Sequence, residues 1–345
     1  MDVSTSSRPG YLGVDMSKDK FDAAMCIGSQ MTDLGQFPNE QAGWQALATK
    51  VAPFVSEQKC DHLHLVMEPT GSYHLALMLF AFEQGWLVSL PNPVRVRSWA
   101  DSEGIRVKTD ALDSRVLARY GENKKVQPEA LLPEEVEALN SFIHRREELK
   151  EMLQNEYNRR HALSRQPRAS AEVKRSVERI IRLLEEELAE LEEAIEAHIR
   201  THQALHTNRR LLLGIPGIGK NTVLHVMVFL YRWQARTAGR GTAKGLTAFA
   251  GLDARIHKSG KTVSKRAHIS KMGCGFTRRK LFMAARGGVR AKSGPLRQFY
   301  DRLRGRHKPY KLVITAAARK MLVWAFMVFS RQEPFNPELA TAPAV

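Results

Sequence analysis

The order in which short β-like runs and helix-period runs alternate between Tyr11 and Tyr120 constrains this chain more than any single motif. Tyr11 to Ser17 reads as a buried strand carrying one acid, Asp15, in an apolar context. Phe21 to Ile27 and Met31 to Phe37 follow across short polar turns, so an antiparallel arrangement is the economical reading. Gln41 to Val55 has helical periodicity through Trp44, Leu47, Val51 and Val55. His62 to Glu68 alternates, turns apolar, and ends on a second acid before Pro69-Thr70-Gly71. Tyr73 to Gln84 reads as a helix, and Trp86 to Leu90 as a strand closed by Pro91-Asn92-Pro93. A further helix follows, with Thr109 as N-cap and Leu112, Val116 and Leu117 at helical spacing. This order predicts an α/β domain in which a mixed sheet is flanked by helices.

Four acids stand out against that frame. Asp110 and Asp113 are three apart and share one helix face. Taken alone, that pair also fits a solvated acidic helix start, where the dipole favours anions, and Asp15 and Glu68 each fit a strand-end turn. Strand ends and a following helix can nevertheless bring all four to one functional edge of the sheet. Carboxylates crowded there raise one another's pKa unless a cation sits among them. Mg²⁺ is the natural counter-ion, because it takes hard oxygen ligands and keeps positions open for water and phosphate. Two such ions about 4 Å apart would polarise a phosphate and stabilise the leaving oxygen.

Three blocks carry a family resemblance: Gly13-Val14-Asp15, Glu68-Pro69-Thr70-Gly71-Ser72-Tyr73, and Lys108-Thr109-Asp110-Ala111-Leu112-Asp113-Ser114-Arg115. They resemble the RuvC-like DEDD domain of the DEDD-type insertion-sequence transposases, the bridge-RNA-guided recombinases. The resemblance runs over almost the whole chain. It implies an RNase H-like (RuvC-like) fold for the N-terminal domain, with Asp15, Glu68, Asp110 and Asp113 as the Mg²⁺-binding tetrad.

Beyond this domain the composition changes twice. Pro133 opens a long helix reaching about Arg165, and Gln166-Pro167-Arg168-Ala169-Ser170 breaks it. Val177, Ile181, Leu184, Leu188, Leu191 and Ile195 then alternate spacings of four and three, which is a heptad seam fitting an antiparallel hairpin or an intermolecular coiled coil. From His206 onward there are 28 Lys and Arg against 4 Asp and Glu, whereas the first 205 residues hold 25 against 32. The net charge of +17 therefore belongs to the C-terminal part. A basic segment that also carries Gly turns and apolar helices predicts a folded domain for a polyanion, with nucleic acid as partner. The expected divisions are 1–130, a RuvC-like catalytic domain; 131–205, a helical coiled-coil hairpin; 206–333, a mainly α-helical basic domain; and 334–345, a disordered Pro/Ala-rich tail.

Within the basic domain, Leu213-Gly214-Ile215-Pro216-Gly217-Ile218-Gly219-Lys220 reads as a helix-hairpin-helix-like turn, in which Gly217, Gly219 and Lys220 would hold a phosphate. A merely structural turn between packed helices fits it as well. Two β-like runs around Ser259-Gly260 predict a hairpin with Ser259 at its tip, amid His257, Lys258, Lys261, Lys265 and Arg266. Such cations would bind a phosphate and ease deprotonation of a hydroxyl. In the resembling family the serine of a Ser-Gly pair at this place is the nucleophile, which carries the role to Ser259, with Ser264 and Ser270 as neighbouring alternatives. Lys271, Arg278 and Arg279 begin a further helix whose basic side would follow a phosphate backbone.

The resemblance implies an RNA-guided transposase or recombinase that cuts and rejoins DNA, passing through a phosphoserine linkage at Ser259 beside Mg²⁺. It also implies a guide (bridge) RNA, donor and target DNA, and a homo-oligomer, dimer or tetramer. A metal-only RuvC-like nuclease with water as nucleophile, and a non-enzymatic nucleic-acid-binding protein, are the alternatives. The polar start, the absence of about 20 uninterrupted apolar residues, and only Cys26, Cys60 and Cys274 predict a cytoplasmic protein without a membrane role, and the resemblance implies a bacterial, nucleoid-associated one.

Overall fold

A computed structural model describes residues 8–57, 59–69, 71–105, 110–259 and 263–338; the side chains of 110–112, 256–259 and 263–267 are outside that description, as is Thr109 with its expected cap. The chain forms two compact units, one of residues 1–131 with 235–239, the other of 132–234 with 240–345.

In the first unit β1 (Pro9–Met16), β2 (Lys20–Ile27) and β3 (Gln30–Pro38) are followed by α1 (Gln41–Ser56), β4 (His62–Met67), α2 (Leu75–Glu83), β5 (Leu87–Ser89), α3 (Pro93–Ser102) and α4 (Asp110–Lys124). The sheet order is β3-β2-β1-β4-β5. The first three strands are antiparallel neighbours, whereas β4 runs parallel to both β1 and β5. This mixed sheet with helices on both faces is what the sequence order predicts, and it is compatible with the RNase H-like domain that the resemblance implies.

Alternation along the strands decides which residues see which helices. Leu12, Val14, Phe21, Met25, Leu65 and Met67 form one core, with Leu47 and Val51 of α1 and Leu77 and Phe80 of α2. Tyr11, Cys26 and Val66 face the opposite way, against Val96 and Trp99 of α3 and Val116, Leu117 and Tyr120 of α4. The α4 face of β1 therefore carries Tyr11, Gly13 and Asp15 in sequence. Parallel pairing of Val14 with Met67 puts the next residues, Asp15 and Glu68, side by side at the carboxyl ends of adjacent strands.

The second unit consists of α5 (Glu134–Ser164), α6 (Ala171–Thr201), α7 (Gln203–Leu213), α8 (Lys220–Arg236), α9 (Ala243–Phe249), the hairpin β6 (Ala254–Ser259) and β7 (Val263–Ile269), α10 (Gly275–Gly288), α11 (Pro295–Gly305) and α12 (Tyr310–Arg331). α8 closes at Arg236, and its last two residues, Ala235 and Arg236, belong to the first unit. α5 and α6 pair along the predicted seam. Ile181 and Ile195 are buried, and Lys150 with Glu192, Tyr157 with Glu185, and Arg160 with Glu178 bridge the pair. Their far ends merge with the rest of the unit, since Val136, Leu139, Ile143, Ile195 and Ile199 share a core with α7, α8, α10 and α12.

α12 is the one helix among the described residues that is long and apolar enough to cross a membrane, by length and composition. It is packed around much of its circumference, with Ile314, Ala317, Met321, Leu322 and Ala325 at or near zero exposure. The tail expected to be disordered begins in contact with this helix: Phe335 packs at a tilt against Trp324 with ring centroids 5.1 Å apart, because burying an aromatic ring offsets the entropy of ordering these residues.

Candidate active site

A backbone contact in the first unit seats α4 on β1. A β-carbon on Gly13 would lie 2.0 Å from the Ser114 carbonyl oxygen and 2.3 Å from the Ala118 nitrogen, so α4 rests directly on β1 where the strand has no side chain. Gly121 makes the next close approach, with the Tyr11 and Val66 side chains filling the space of its missing β-carbon. Asp15 is two residues beyond Gly13 on the same face, and Asp113 immediately precedes Ser114. The start of α4, bearing Asp110 and Asp113, is thereby set over the strand ends that carry Asp15 and Glu68. Asp15, Glu68 and Asp113 are each partly buried.

Arg115 secures this part of the helix laterally. Its Nε donates to Asp33 Oδ1 at 2.5 Å and its second nitrogen to Oδ2, joining α4 to β3. The Arg115 guanidinium holds the Asp33 carboxyl below its usual range. A second tie lies further along α4, where Glu122 accepts from Cys26 Sγ at 3.1 Å and from the Ser29 amide at 2.9 Å. Burial and the Glu122 carboxylate push the Cys26 thiol up to about 12, which leaves it unreactive at neutral pH.

A fifth acid was not singled out from sequence. Asp22 of β2 is the antiparallel partner of Asp15, which puts the two β-carbons about 5 Å apart on the same face. Its Oδ2 accepts from Gln36 Nε2 at 3.1 Å. Only the register across the tight Lys18-Asp19-Lys20 turn reveals this pairing, and the apolar pattern alone does not.

All the acids at this edge offer carboxylate oxygens, the donor chemistry of a hard cation. Among the described residues no group of three or more His, Cys, Asp or Glu forms a metal-binding cluster. The Asp110 side chain lies outside that description.

A buried imidazole sits four residues before Glu68, towards the amino end of β4. His64 of β4 stacks on Tyr11 with centroids 5.2 Å apart, and its Nε2 lies 2.8 Å from Ser89 Oγ. The Ser89 hydroxyl donates to the Gln127 carbonyl at 2.6 Å, so its single proton is committed and His64 donates from Nε2. Burial, reinforced by His62, lowers the His64 pKa to about 4.

In the second unit β6 and β7 form the predicted hairpin, and the last register pair joins Ser259 to Val263. Ser259 ends β6; its side chain and those of His257, Lys258, Lys265 and Arg266, together with Gly260, Lys261 and Thr262 entirely, lie outside the described residues. The neighbouring Ser270 holds its loop together, since its hydroxyl donates to Asp253 Oδ1 and accepts from the Met272 amide at 3.4 Å.

Two of the residues expected to bind nucleic acid are used internally. Arg278 donates to the Gly273 carbonyl at 2.5 Å and the Ala250 carbonyl at 3.2 Å, joining the end of α9 to the loop before α10. The Ala250 carbonyl is in a buried residue and the Gly273 carbonyl in a partly buried one, so Arg278 satisfies acceptors with restricted access to water. Gly217 has φ +93°, and a β-carbon there would lie 2.9 Å from the Ala284 carbonyl oxygen, so it serves the approach of its turn to α10. Gly219, by contrast, meets open space, and Lys220, Lys271 and Arg279 are exposed.

A charged cluster that sequence reading missed joins α5, α8 and α10. Glu147 accepts from Lys280 at 2.7 Å and from His225 Nε2 at 3.1 Å, with Arg146 Nη2 3.4 Å away. Burial alone would raise the Glu147 pKa, but bonds from His225 and Lys280 outweigh it and hold the carboxyl far below its usual range. The charges of Glu147 and Lys280 are thereby paired inside the helix packing, while the buried Arg146 Nε has no hydrogen-bond partner among the described residues.

Residues 12–166 match the model of a DEDD-type family described as a transposase, and residues 209–301 match one described as the transposase IS116/IS110/IS902 family. Two curated relatives are pilin gene-inverting proteins, from Moraxella bovis and Moraxella lacunata. Each is 31% identical over 332 residues, spanning 95% of this chain and 98% of the relative.

Proposed function

The chain belongs to the IS110 family of transposases, enzymes that cut and rejoin DNA strands, and on that premise we propose that it is an RNA-guided recombinase of an insertion sequence working through a phosphoserine linkage. The reading is supported above all by the seating of α4 on Gly13, which directs the start of that helix towards the two parallel strand ends that carry Asp15 and Glu68. Asp15, Glu68, Asp110 and Asp113 would hold Mg²⁺, a fit their all-oxygen chemistry supports. Mg²⁺ supplies, when bound, polarisation of the phosphate and stabilisation of charge on its oxygens.

Ser259 is the nucleophile in this reading. Its Oγ bonds to phosphorus while the bond from phosphorus to one sugar oxygen breaks, and that oxygen takes up a proton. Rejoining reverses the step: a sugar hydroxyl attacks the phosphoserine and the serine hydroxyl is restored, so no phosphodiester is lost to water. Lys258, Lys261, Lys265 and Arg266 would hold the phosphate oxygens, while Gly219, Lys220, Lys271 and Arg279 track nucleic-acid backbone. The likeness to pilin gene-inverting proteins supports recombination on DNA. The guide RNA, a homo-oligomer and a place at the bacterial nucleoid belong to the same proposal, as do a catalytic domain at 1–130, a helical spacer at 131–205 and a serine-bearing domain at 206–333.

The test is a denaturing gel of the full chain with its flanking element RNA, end-labelled donor and target DNA, and Mg²⁺. A protein–DNA adduct that survives denaturation and disappears in Ser259→Ala is the expected result. Free cut ends without adduct in either protein would replace the proposal with a metal-only nuclease.

A further inference from the structure

A cavity of about 360 Å³ opens in the first unit beyond the carboxyl end of β5. Ser89 of β5 pairs with Val66, two residues before Glu68, so this cavity begins on the strand next to Glu68 and at the same end of the parallel strands. Ligands in sheets of this kind collect outside the carboxyl ends of parallel strands, and the volume falls within the range of small-molecule sites.

The lining has two characters. Tyr120 and Pro91 are buried and Val126 is partly buried, giving an apolar floor; Tyr120 is held edge-on by Trp99 at 5.5 Å. Arg95, Lys124 and Lys125 line the opening and are exposed. Lys125 adopts φ +44°, the left-handed turn that ends α4 and directs the chain along the cavity. The one acid in the lining, Glu129, is neutralised by Arg236 at 2.6 Å, and Arg236 also donates to the Leu90 carbonyl at 2.9 Å. Among the described residues no ion pair engages Arg95, Lys124 or Lys125, so three cations face a cavity whose carboxylate is already matched.

An aromatic floor below a rim of cations is the pattern that takes a stacked base with its phosphate. We propose that this cavity receives one nucleotide turned out of a nucleic-acid strand, its base over Tyr120 and its phosphate on Arg95 and Lys124. The inference deepens the recombinase reading, on which it rests, by adding a subsite on the strand beside the acidic edge.

Two readouts in EDTA test it, with neither requiring cleavage. First, a short single strand carrying 5-iododeoxyuridine is irradiated with the full chain, and adducts are mapped by mass spectrometry. Tyr120 is expected to carry the strand. Second, the salt dependence of binding is compared between the wild type and Arg95→Ala/Lys124→Ala, both exposed positions, with thermal melting as the folding control. The slope is expected to shrink by about 0.7, the value for the one phosphate of a single strand that is no longer neutralised. No Tyr120 adduct together with an unchanged slope overturns the proposal. Labelling of Tyr120 by free 5-iodo-dUMP but not by the strand overturns it in favour of a mononucleotide site. A protein that binds in this way but never cuts refutes the recombinase chemistry and leaves the subsite standing, whereas a cutting protein with neither signal does the reverse.

Discussion

Gly13 and Ser114 meet backbone to backbone: the space a β-carbon would need on the strand is occupied, at 2.0 Å, by the carbonyl oxygen of the helix. Neither partner is the far end of a flexible side chain, so a methyl group at position 13 must push α4 away from β1. Gly13→Ala is expected to destabilise the first unit by about 1–3 kcal/mol, the usual range for overpacking. On the proposed tetrad, strand cleavage should fall much further, since Asp110 and Asp113 would move with the helix, and a 1 Å displacement of a catalytic group costs on the order of 100-fold. Gly305→Ala, which meets open space, is the control. Melting and cleavage measured together check this; full cleavage in Gly13→Ala would mean that the contact does not position the acids.

The Arg115–Asp33 pair separates stability from positioning. Both side chains are about half exposed, so the pair itself contributes less than about 1 kcal/mol. Arg115→Ala and Asp33→Ala should therefore melt close to the wild type. Cleavage rate should drop in each, and the double variant should be no worse than either single one, because the two act as one tether. Additive losses in the double variant would separate their roles.

Arg278 and Arg279 are neighbours with opposite expected outcomes. Arg278 donates to two backbone carbonyls, and removing it leaves them without this donor, at a cost of about 1–3 kcal/mol. Arg279 is exposed. Arg278→Ala should lower the melting temperature, whereas Arg279→Ala should keep it and weaken DNA binding with a shallower salt slope. Melting curves and binding titrations at several salt concentrations decide between them.

How far the sequence could be read follows from the range of the interactions involved. Strand alternation and helical period are local, so the five strands of the sheet, the helix starting at Asp110 and the α5–α6 seam were all legible within a few residues. Asp15 and Glu68 could be proposed as neighbours because each ends an apolar strand. Asp22 could not, since its place opposite Asp15 depends on hairpin register. The use of Arg278 and Gly217 was hidden for a related reason: the carbonyls of Ala250 and Ala284 that they approach lie far away in sequence. A basic residue or turn glycine looks the same in sequence whether it faces a phosphate or a neighbouring loop. The cavity beside β5 was likewise invisible, because it draws on the ends of β5 and α4 and on residue 236.

His64 gives the first unit a pH dependence of known sign. Its folded pKa of about 4 lies below the ordinary value of 6.5, so the folded state prefers the neutral ring. The stabilisation is fully present above pH 6.5 and is lost as the pH falls from 6.5 towards 4, by about 3 kcal/mol across that window. Hydrogen–deuterium exchange of β4 and β5 peptides should accelerate over this range. His64→Gln, which keeps a donor for Ser89 without titrating, should flatten the profile; an unchanged profile would assign the effect to another group.

Glu147 predicts an acid-sensitive core in the second unit and a way to relieve it. Its folded pKa is depressed, so its contribution is present above the ordinary carboxylate range and is lost as the pH falls through and below it. Glu147→Gln leaves Lys280 and the buried Arg146 beside an uncharged amide. Hydrogen bonds to charged groups contribute about 1.5–3 kcal/mol each, and the partial exposure of Glu147 and Lys280 keeps the loss towards the lower end of that range. Adding Lys280→Met removes the stranded ammonium and keeps its stem over the Phe276 ring, so the double variant should recover part of the loss. Urea unfolding followed by far-ultraviolet circular dichroism, at neutral pH and at pH 4, reads both effects. A double variant less stable than Glu147→Gln alone would show that Lys280 stabilises through its ring contact rather than through the carboxylate.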